Sequence, residues 1–221
     1  MKKNKSFISN LHNATKRDYL ARMKNKKVEC MKVASEYSYD YWDGKRKYGY
    51  GGYKYIPNRW KKVAQQMIKV YSLTNSSKIL DVGCGKGYLL YEIRLILPEI
   101  QIFGFDISKY AIKEAKKNNG TFFVHDAKKK FPYKKKYFDL VISLAVLHNF
   151  EIDGLFNCIQ EIERVAKKKY IMVESYRNYK ELFNLQCWAL TCKSFFSVND
   201  WKWIFTKVIL SLFFLIKSLC I

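Results

Sequence analysis

The chain predicts an α/β fold: a doubly wound, mostly parallel sheet with helices on both faces. Two observations carry this reading. From residue 78 onward, short apolar runs alternate with stretches of helical periodicity. Runs that are apolar throughout, with helical segments between them, are the pattern of strands buried on both faces. In addition, a glycine-rich turn follows the first run directly, at the place where open α/β sheets bind ligands.

The elements follow in chain order. Residues 1–57 read as an N-terminal helical extension, polar and charged, with no glycine before Gly44. It ends in a loop over 48–57 that carries Tyr50, Tyr53 and Tyr55 among glycines. Glycines permit hinging and tyrosines offer an apolar wall with a polar tip, so the loop is expected to act as a lid over a substrate. Trp60, Val63, Ala64, Met67, Ile68 and Tyr71 then recur at helical spacing and form one apolar stripe. Strands are expected over 78–82, 100–105, 121–124, 138–143 and 170–174, and helices near 86–97, 108–118 and 151–166. In the last helix, Leu155, Ile159, Ile162 and Ala166 share a face. The main domain is read as 58–206, and 207–221 as an atypical apolar tail.

Composition bounds the function less tightly. Hydrophobic residues make up 49% of the 221, enough for a packed core. Basic residues number 41 against 19 acidic, for a formal charge of +22. An excess of this kind matches a polyanionic partner. It also matches the Lys-, Asn-, Ile-, Tyr- and Phe-rich drift of an AT-rich genome. The basic residues are spread along the chain, and solvated surface is the favoured reading; a nucleic-acid partner is the alternative. Cys30, Cys84, Cys158, Cys187, Cys192 and Cys220 contain no CxxC pair and have no nearby histidines. No metal site is expected, and the thiols read as reduced and cytoplasmic. The basic start lacks a following apolar segment, so no secretory signal is expected. The tail's uncharged run over 208–216 is too short for a membrane span, which needs about 20 apolar residues.

The segment Ile79-Leu80-Asp81-Val82-Gly83-Cys84-Gly85-Lys86-Gly87 carries the chemistry. A phosphate-binding loop would need Ser or Thr after Lys86, where Gly87 stands. A dinucleotide turn would need GxGxxG, whereas Gly83, Gly85 and Gly87 form GxGxG. Asp81 would sit badly beside a pyrophosphate and well beside a positively charged methionine moiety. Asp106 lies 19 residues beyond Gly87, at the end of the next strand, where a carboxylate holds ribose hydroxyls. Asp126 and Ala127 follow the third strand, placed for an adenine amino group. Ser143 ends the fourth strand beside the expected methyl-donor pocket.

With these residues in order, the sequence over about 78–175 resembles class I S-adenosylmethionine-dependent methyltransferases, in particular the broad type-11 small-molecule group. The flanking Tyr41-Trp42-Asp43-Gly44 and the 49–55 loop look like a bacterial subgroup. The resemblance implies a Rossmann-like sheet and S-adenosylmethionine as cofactor. By position, Asp81, Gly83, Gly85 and Gly87 would cradle the methionine end, Asp106 with Ile107 would hold the ribose, and Asp126 with Ala127 would border the adenine. The family usually ends in two antiparallel strands. Residues 208–221 have room for one at most and no turn signal. The edge hairpin is therefore expected to be incomplete, as an altered or truncated terminus after about Thr206 would leave it.

His148, just after the fourth strand, and Glu174, at the end of the fifth, are the candidate catalytic groups, His148 for its near-neutral titration. Tyr176 and Arg177 on the same rim are candidates for substrate. Asp139, His12 and His125 read as structural. No Asn/Asp-Pro-Pro-aromatic sequence and no Pro-Cys nucleophile is present, which counts against base methylation in nucleic acids. The expected activity is O- or carboxyl-methylation of a small hydroxylated or carboxylated metabolite. The alternatives are an RNA methyltransferase and a catalytically impaired S-adenosylmethionine-binding protein.

Overall fold

The computed structural model describes residues 7, 17–115, 117, 119–208 and 214–218. Among the described residues the N-terminal extension has three short helices, α1 (Tyr19–Lys24), α2 (Lys27–Ser35) and α3 (Tyr39–Trp42). Helix α4 (Lys61–Tyr71) follows, burying Val63, Ala64, Met67 and Tyr71 from the predicted stripe. The alternating core is β1 (Lys78–Val82), α5 (Tyr88–Ile96), β2 (Gln101–Asp106), α6 (Lys109–Ala115), β3 (Thr121–Val124), β4 (Phe138–Leu144), α7 (Ile152–Val165) and β5 (Ala166–Ser175). Helices α8 (Tyr179–Trp188) and α9 (Val198–Val208) and strand β6 (Phe214–Ser218) follow among the described residues.

The six strands lie in the order β3-β2-β1-β4-β5-β6, and every neighbouring pair is parallel. The winding reverses between β1 and β4, which opens a crevice at their carboxyl ends. Two cores cover the sheet. Side chains alternate along each strand, so Leu80, Val141 and Ile171 face α7 and α9, while Ile79, Leu140, Ile142 and Tyr170 face α4 and α5.

Three differences from the sequence reading have local causes. The helix expected from residue 86 starts at Tyr88, because Gly87 caps it in the left-handed region at φ 72°. Strand β5 starts at Ala166 instead of 170, and its ladder with β4 begins at Phe138↔Ala166. The exposed Lys167 and Lys168 break the apolar run at this start. The tail supplies one strand among the described residues. It runs parallel to β5 in the register Ile171↔Phe214 to Ser175↔Ser218, not as part of an antiparallel hairpin.

Asp139 ties the strand starts together. It accepts from the Lys78 amide at 2.8 Å and pairs with Lys167 at 2.9 Å. His125 packs edge-on against Phe105. His12 lies outside the described residues. No helix among the described residues is long and apolar enough to cross a membrane.

Candidate cofactor and acceptor site

A cavity of about 450 Å³ opens at the carboxyl ends of β1, β4 and β5, within the usual range for small-molecule sites. Its floor is the glycine turn. Gly83, Gly85 and Gly87 have φ of 76°, 53° and 72°, a region that disfavours any residue with a Cβ. The Gly83 and Cys84 amides both donate to the Phe105 carbonyl, at 2.9 and 3.0 Å. The Gly85 amide donates to Asp106 Oδ2 at 2.9 Å. The turn is thereby stapled to the end of β2. A Cβ on Gly83 would collide with Val146, which brings the loop after β4 against the turn.

Asp81 borders the cavity and is 5% exposed. Its Oδ1 is buried and has no hydrogen-bond partner among the described residues. Burial, with the nearby Asp106 carboxylate adding to it, pushes the Asp81 carboxyl up to about 8. A buried carboxylate oxygen without a donor is costly. A cation beside the glycine turn would remove that cost, and the ammonium of a methionine moiety fits it.

Asp106 is differently engaged. Its oxygens accept from the Gly85 and Ser108 amides, at 2.9 and 2.8 Å, and burial raises its titration despite those bonds. It is not part of the cavity lining. The Trp42 indole packs where a Gly85 side chain would be, 2.7 Å from an ideal Cβ, and donates to Ser108 Oγ at 2.9 Å. Trp42 thus forms the wall on that side. Ile107 is half-exposed beside it. Asp126 caps the turn after β3 by accepting from the Lys128 amide at 3.0 Å, Ala127 is buried against Phe131 in the core, and neither lines the cavity. Ser143 is fully buried, and its hydroxyl donates to the Val82 carbonyl at 3.2 Å, closing β4 onto β1.

On the opposite wall the structure brings His148 and Glu174 together. The Glu174 amide donates to His148 Nδ1 at 3.2 Å, and Nε2 stands 3.9 Å from Glu174 Oε2. Both line the cavity, as do Tyr50 and Tyr53 of the aromatic loop. Tyr55 does not: its hydroxyl donates to Glu92 Oε1 at 2.9 Å and anchors the loop to α5. Tyr176 and Arg177 also lie away from the cavity. Strand β5 ends there, with Tyr176 bridging to Ser197 and Arg177 paired with Glu181.

Two features went unread in the sequence. The buried Lys86 ammonium pairs with Asp43 at 2.6 Å, and Tyr110 donates to the same oxygen at 2.6 Å. The Tyr53 amide donates to Asp43 Oδ1 at 2.9 Å. This lock holds the N-terminal extension on the glycine turn. The second is Trp188, at the end of α8, which faces the cavity with Arg17, Arg22 and Arg46 around it. Its partners come from the opposite end of the chain, and no local motif marks them.

An all-parallel sheet in this order, with a glycine turn stapled to the end of β2, defines the doubly wound α/β class, whose ligands bind in the crevice at the switch point. Residues 73–209 match a family described as a methyltransferase domain, and the chain belongs to it. It is 36% identical over 75 residues to a malonyl-[acyl-carrier protein] O-methyltransferase of Legionella pneumophila, covering 32% of this chain and 26% of that protein. It is 36% identical over 110 residues to a tRNA (carboxymethyluridine(34)-5-O)-methyltransferase of Arabidopsis thaliana, covering 49% of this chain and 25% of that one. Among solved structures, the YcgJ protein of Bacillus subtilis shares the fold, with a TM-score of 0.53 and 18% identity over 65% of this chain and 66% of that one. The matched region is thus about a quarter of the length of these two curated relatives.

Proposed function

We propose that this chain transfers a methyl group from S-adenosylmethionine to an oxygen of a small acceptor. The single observation that carries the reading is Asp81, a buried, unpartnered carboxylate oxygen beside a turn of three left-handed glycines. When bound, the cofactor supplies a methyl group already activated on a cationic sulfur, so the protein's task is alignment and exclusion of water.

The residues divide that task. Asp81 holds the cationic end of the cofactor. Asp106, which braces the glycine turn through the Gly85 amide, is the candidate for the ribose, while Tyr50 and Tyr53 close the cavity over the acceptor. His148 Nδ1 accepts a backbone hydrogen bond, which puts the proton of the neutral ring on Nε2. In that tautomer the Nε2 proton faces Glu174 Oε2 across 3.9 Å, beyond hydrogen-bond reach, and leaves that carboxylate oxygen open to an acceptor. Glu174 is therefore the better placed proton acceptor for a hydroxyl substrate, and His148 positions it; a carboxylate substrate would need neither. Both curated relatives are named for O-methyl transfer, one to a malonyl thioester carrier and one to a carboxymethyluridine, which favours oxygen as the acceptor atom. The +22 charge and the name of the plant relative support RNA as a second acceptor class.

Calorimetric titration with S-adenosylmethionine tests the reading. The native chain is expected to bind one equivalent, and Asp81→Ala to bind at least tenfold more weakly. A folded native chain that binds none would overturn it.

A further inference from the structure

At the mouth of the cavity, three arginines from the N-terminal extension surround one indole. The guanidinium carbons of Arg17, Arg22 and Arg46 lie 4.9, 5.5 and 5.3 Å from the centre of the Trp188 ring, and all four residues line the cavity. Part of the arrangement is a brace. Arg22 Nη1 donates to the Lys47 carbonyl at 2.5 Å, and Arg46 Nη1 donates to the Gly49 and Tyr50 carbonyls at 2.5 and 3.2 Å. Carbonyls satisfy hydrogens but do not neutralise charge. Among the described residues no carboxylate pairs with Arg22 or Arg46, and Arg22 Nε is buried without a partner.

The cations also crowd one another. Burial lowers Arg22 and Arg46, with Arg46 adding to the effect on Arg22 and Arg17 to that on Arg46. Burial together with Arg22 brings the neighbouring Lys27 ammonium down to about 8. The carboxylates that line the cavity, Asp81 and Glu174, lie one residue before the ends of β1 and β5. The lining therefore carries five cations, Arg17, Arg22, Arg46, Lys54 and Arg59, against these two carboxylates, and Arg22 and Arg46 are the two gathered with Arg17 on one aromatic face. A guanidinium has five donors in a planar fork that matches an oxyanion, and a ring face keeps that fork oriented.

We infer that Arg22 and Arg46, stacked on Trp188, form an anion subsite that holds a carboxylate or phosphate group of the methyl acceptor. The inference rests on the methyl-transfer reading for the word acceptor; the anion site itself does not. The other source of the same chemistry is the cofactor's own carboxylate, and the test separates the two.

Four proteins are titrated calorimetrically, once with inorganic phosphate at constant ionic strength and once with S-adenosylmethionine. They are the native chain, R22Q/R46Q, R22K/R46K, and K129Q/K134Q as a control for net charge on exposed lysines. The native chain is expected to bind one phosphate. R22Q/R46Q should lose at least tenfold in phosphate affinity, R22K/R46K at least threefold because the fork is lost while the charge stays, and K129Q/K134Q should change less than twofold. Affinity for S-adenosylmethionine should be the same in all four. No saturable phosphate site in the native chain, or an equal loss in K129Q/K134Q, would overturn the subsite. A parallel loss of S-adenosylmethionine affinity in the arginine variants would assign it to the cofactor instead of the acceptor. If R22Q/R46Q does not melt cooperatively, R22K/R46K decides, and unchanged phosphate affinity there sinks the idea. A native chain that binds phosphate but no S-adenosylmethionine would leave the anion site standing and remove the methyl-transfer reading.

Discussion

Asp81 sets the pH behaviour at the scale of single residues. Its carboxyl is raised from 3.8 to about 8 in the fold, so the folded state keeps a proton that the unfolded chain has lost. The stability this group contributes is complete below its ordinary value and disappears as pH rises toward 8. Asp81→Asn should therefore raise the melting temperature of the ligand-free chain above pH 8 and leave it nearly unchanged near pH 4, while weakening cofactor binding. The native chain's affinity for S-adenosylmethionine should climb between pH 6 and 8 and level off above, by up to about tenfold per pH unit; a flat profile by calorimetry would dissociate Asp81 from the cation. Glu174 makes a second prediction. With a hydroxyl acceptor, Glu174→Gln should lower kcat by about 10²–10⁴ with little change in S-adenosylmethionine affinity. With a carboxylate acceptor kcat should hardly move, and steady-state kinetics on the two acceptor classes tells these apart.

Between elements, the contact that matters is the seating of α3 and the aromatic loop on the glycine turn. Lys86 is 4% exposed in its side chain and Asp43 18%, a nearly dry pair completed by Tyr110 and the Tyr53 amide. Burial opposes ionisation of Asp43, but the Lys86 ammonium and the Tyr110 hydroxyl outweigh it and hold the carboxyl below its ordinary value. This contribution is present above the ordinary carboxylate value and is lost as pH falls through the lower, folded one. Removing one partner of a buried pair costs about 3–5 kcal/mol. Asp43→Asn should accordingly release the extension: chemical denaturation should show a loss of that order, and amide exchange should quicken over α3 and 48–55 before β1 or β4 respond. Uniform quickening across the sheet would mean that the lock stabilises the whole domain instead of its lid.

On the scale of the whole molecule, charge and topology make separate claims. The +22 charge guarantees some attraction to polyanions, and attraction alone is not recognition. If the acceptor is small, retention of single-stranded RNA should fall with salt at a slope of about −0.7 per phosphate contacted and be gone at physiological ionic strength, with no preference among sequences. Sequence-selective retention at that ionic strength in a filter-binding assay would move the favoured acceptor to RNA. Topology places the site irrespective of charge, because the winding reverses between β1 and β4 and both strands end at the cavity.

What the sequence determined by itself is what is encoded within a few residues. Strands β1 and β3 were legible to the residue, since short runs rich in large apolar and aromatic residues have one place to go in a covered sheet. The glycine turn and Asp81 were legible because left-handed backbone demands glycine at fixed intervals. Strand β5 was read short because its first residues include the exposed Lys167 and Lys168, which lie in the ladder while their side chains meet solvent. Tertiary structure alone decided the rest. It put Tyr55 on Glu92 and turned it from the cavity, paired Arg177 with Glu181, sealed Ser143 against Val82, and tied Trp42 to Ser108. It also gathered Arg22, Arg46 and Trp188 from opposite ends of the chain. Backbone conformation is a local property and leaves a local trace in sequence. The direction of a side chain is settled by whichever distant partner satisfies its charge or fills its space, and that partner is known only once the sheet has closed.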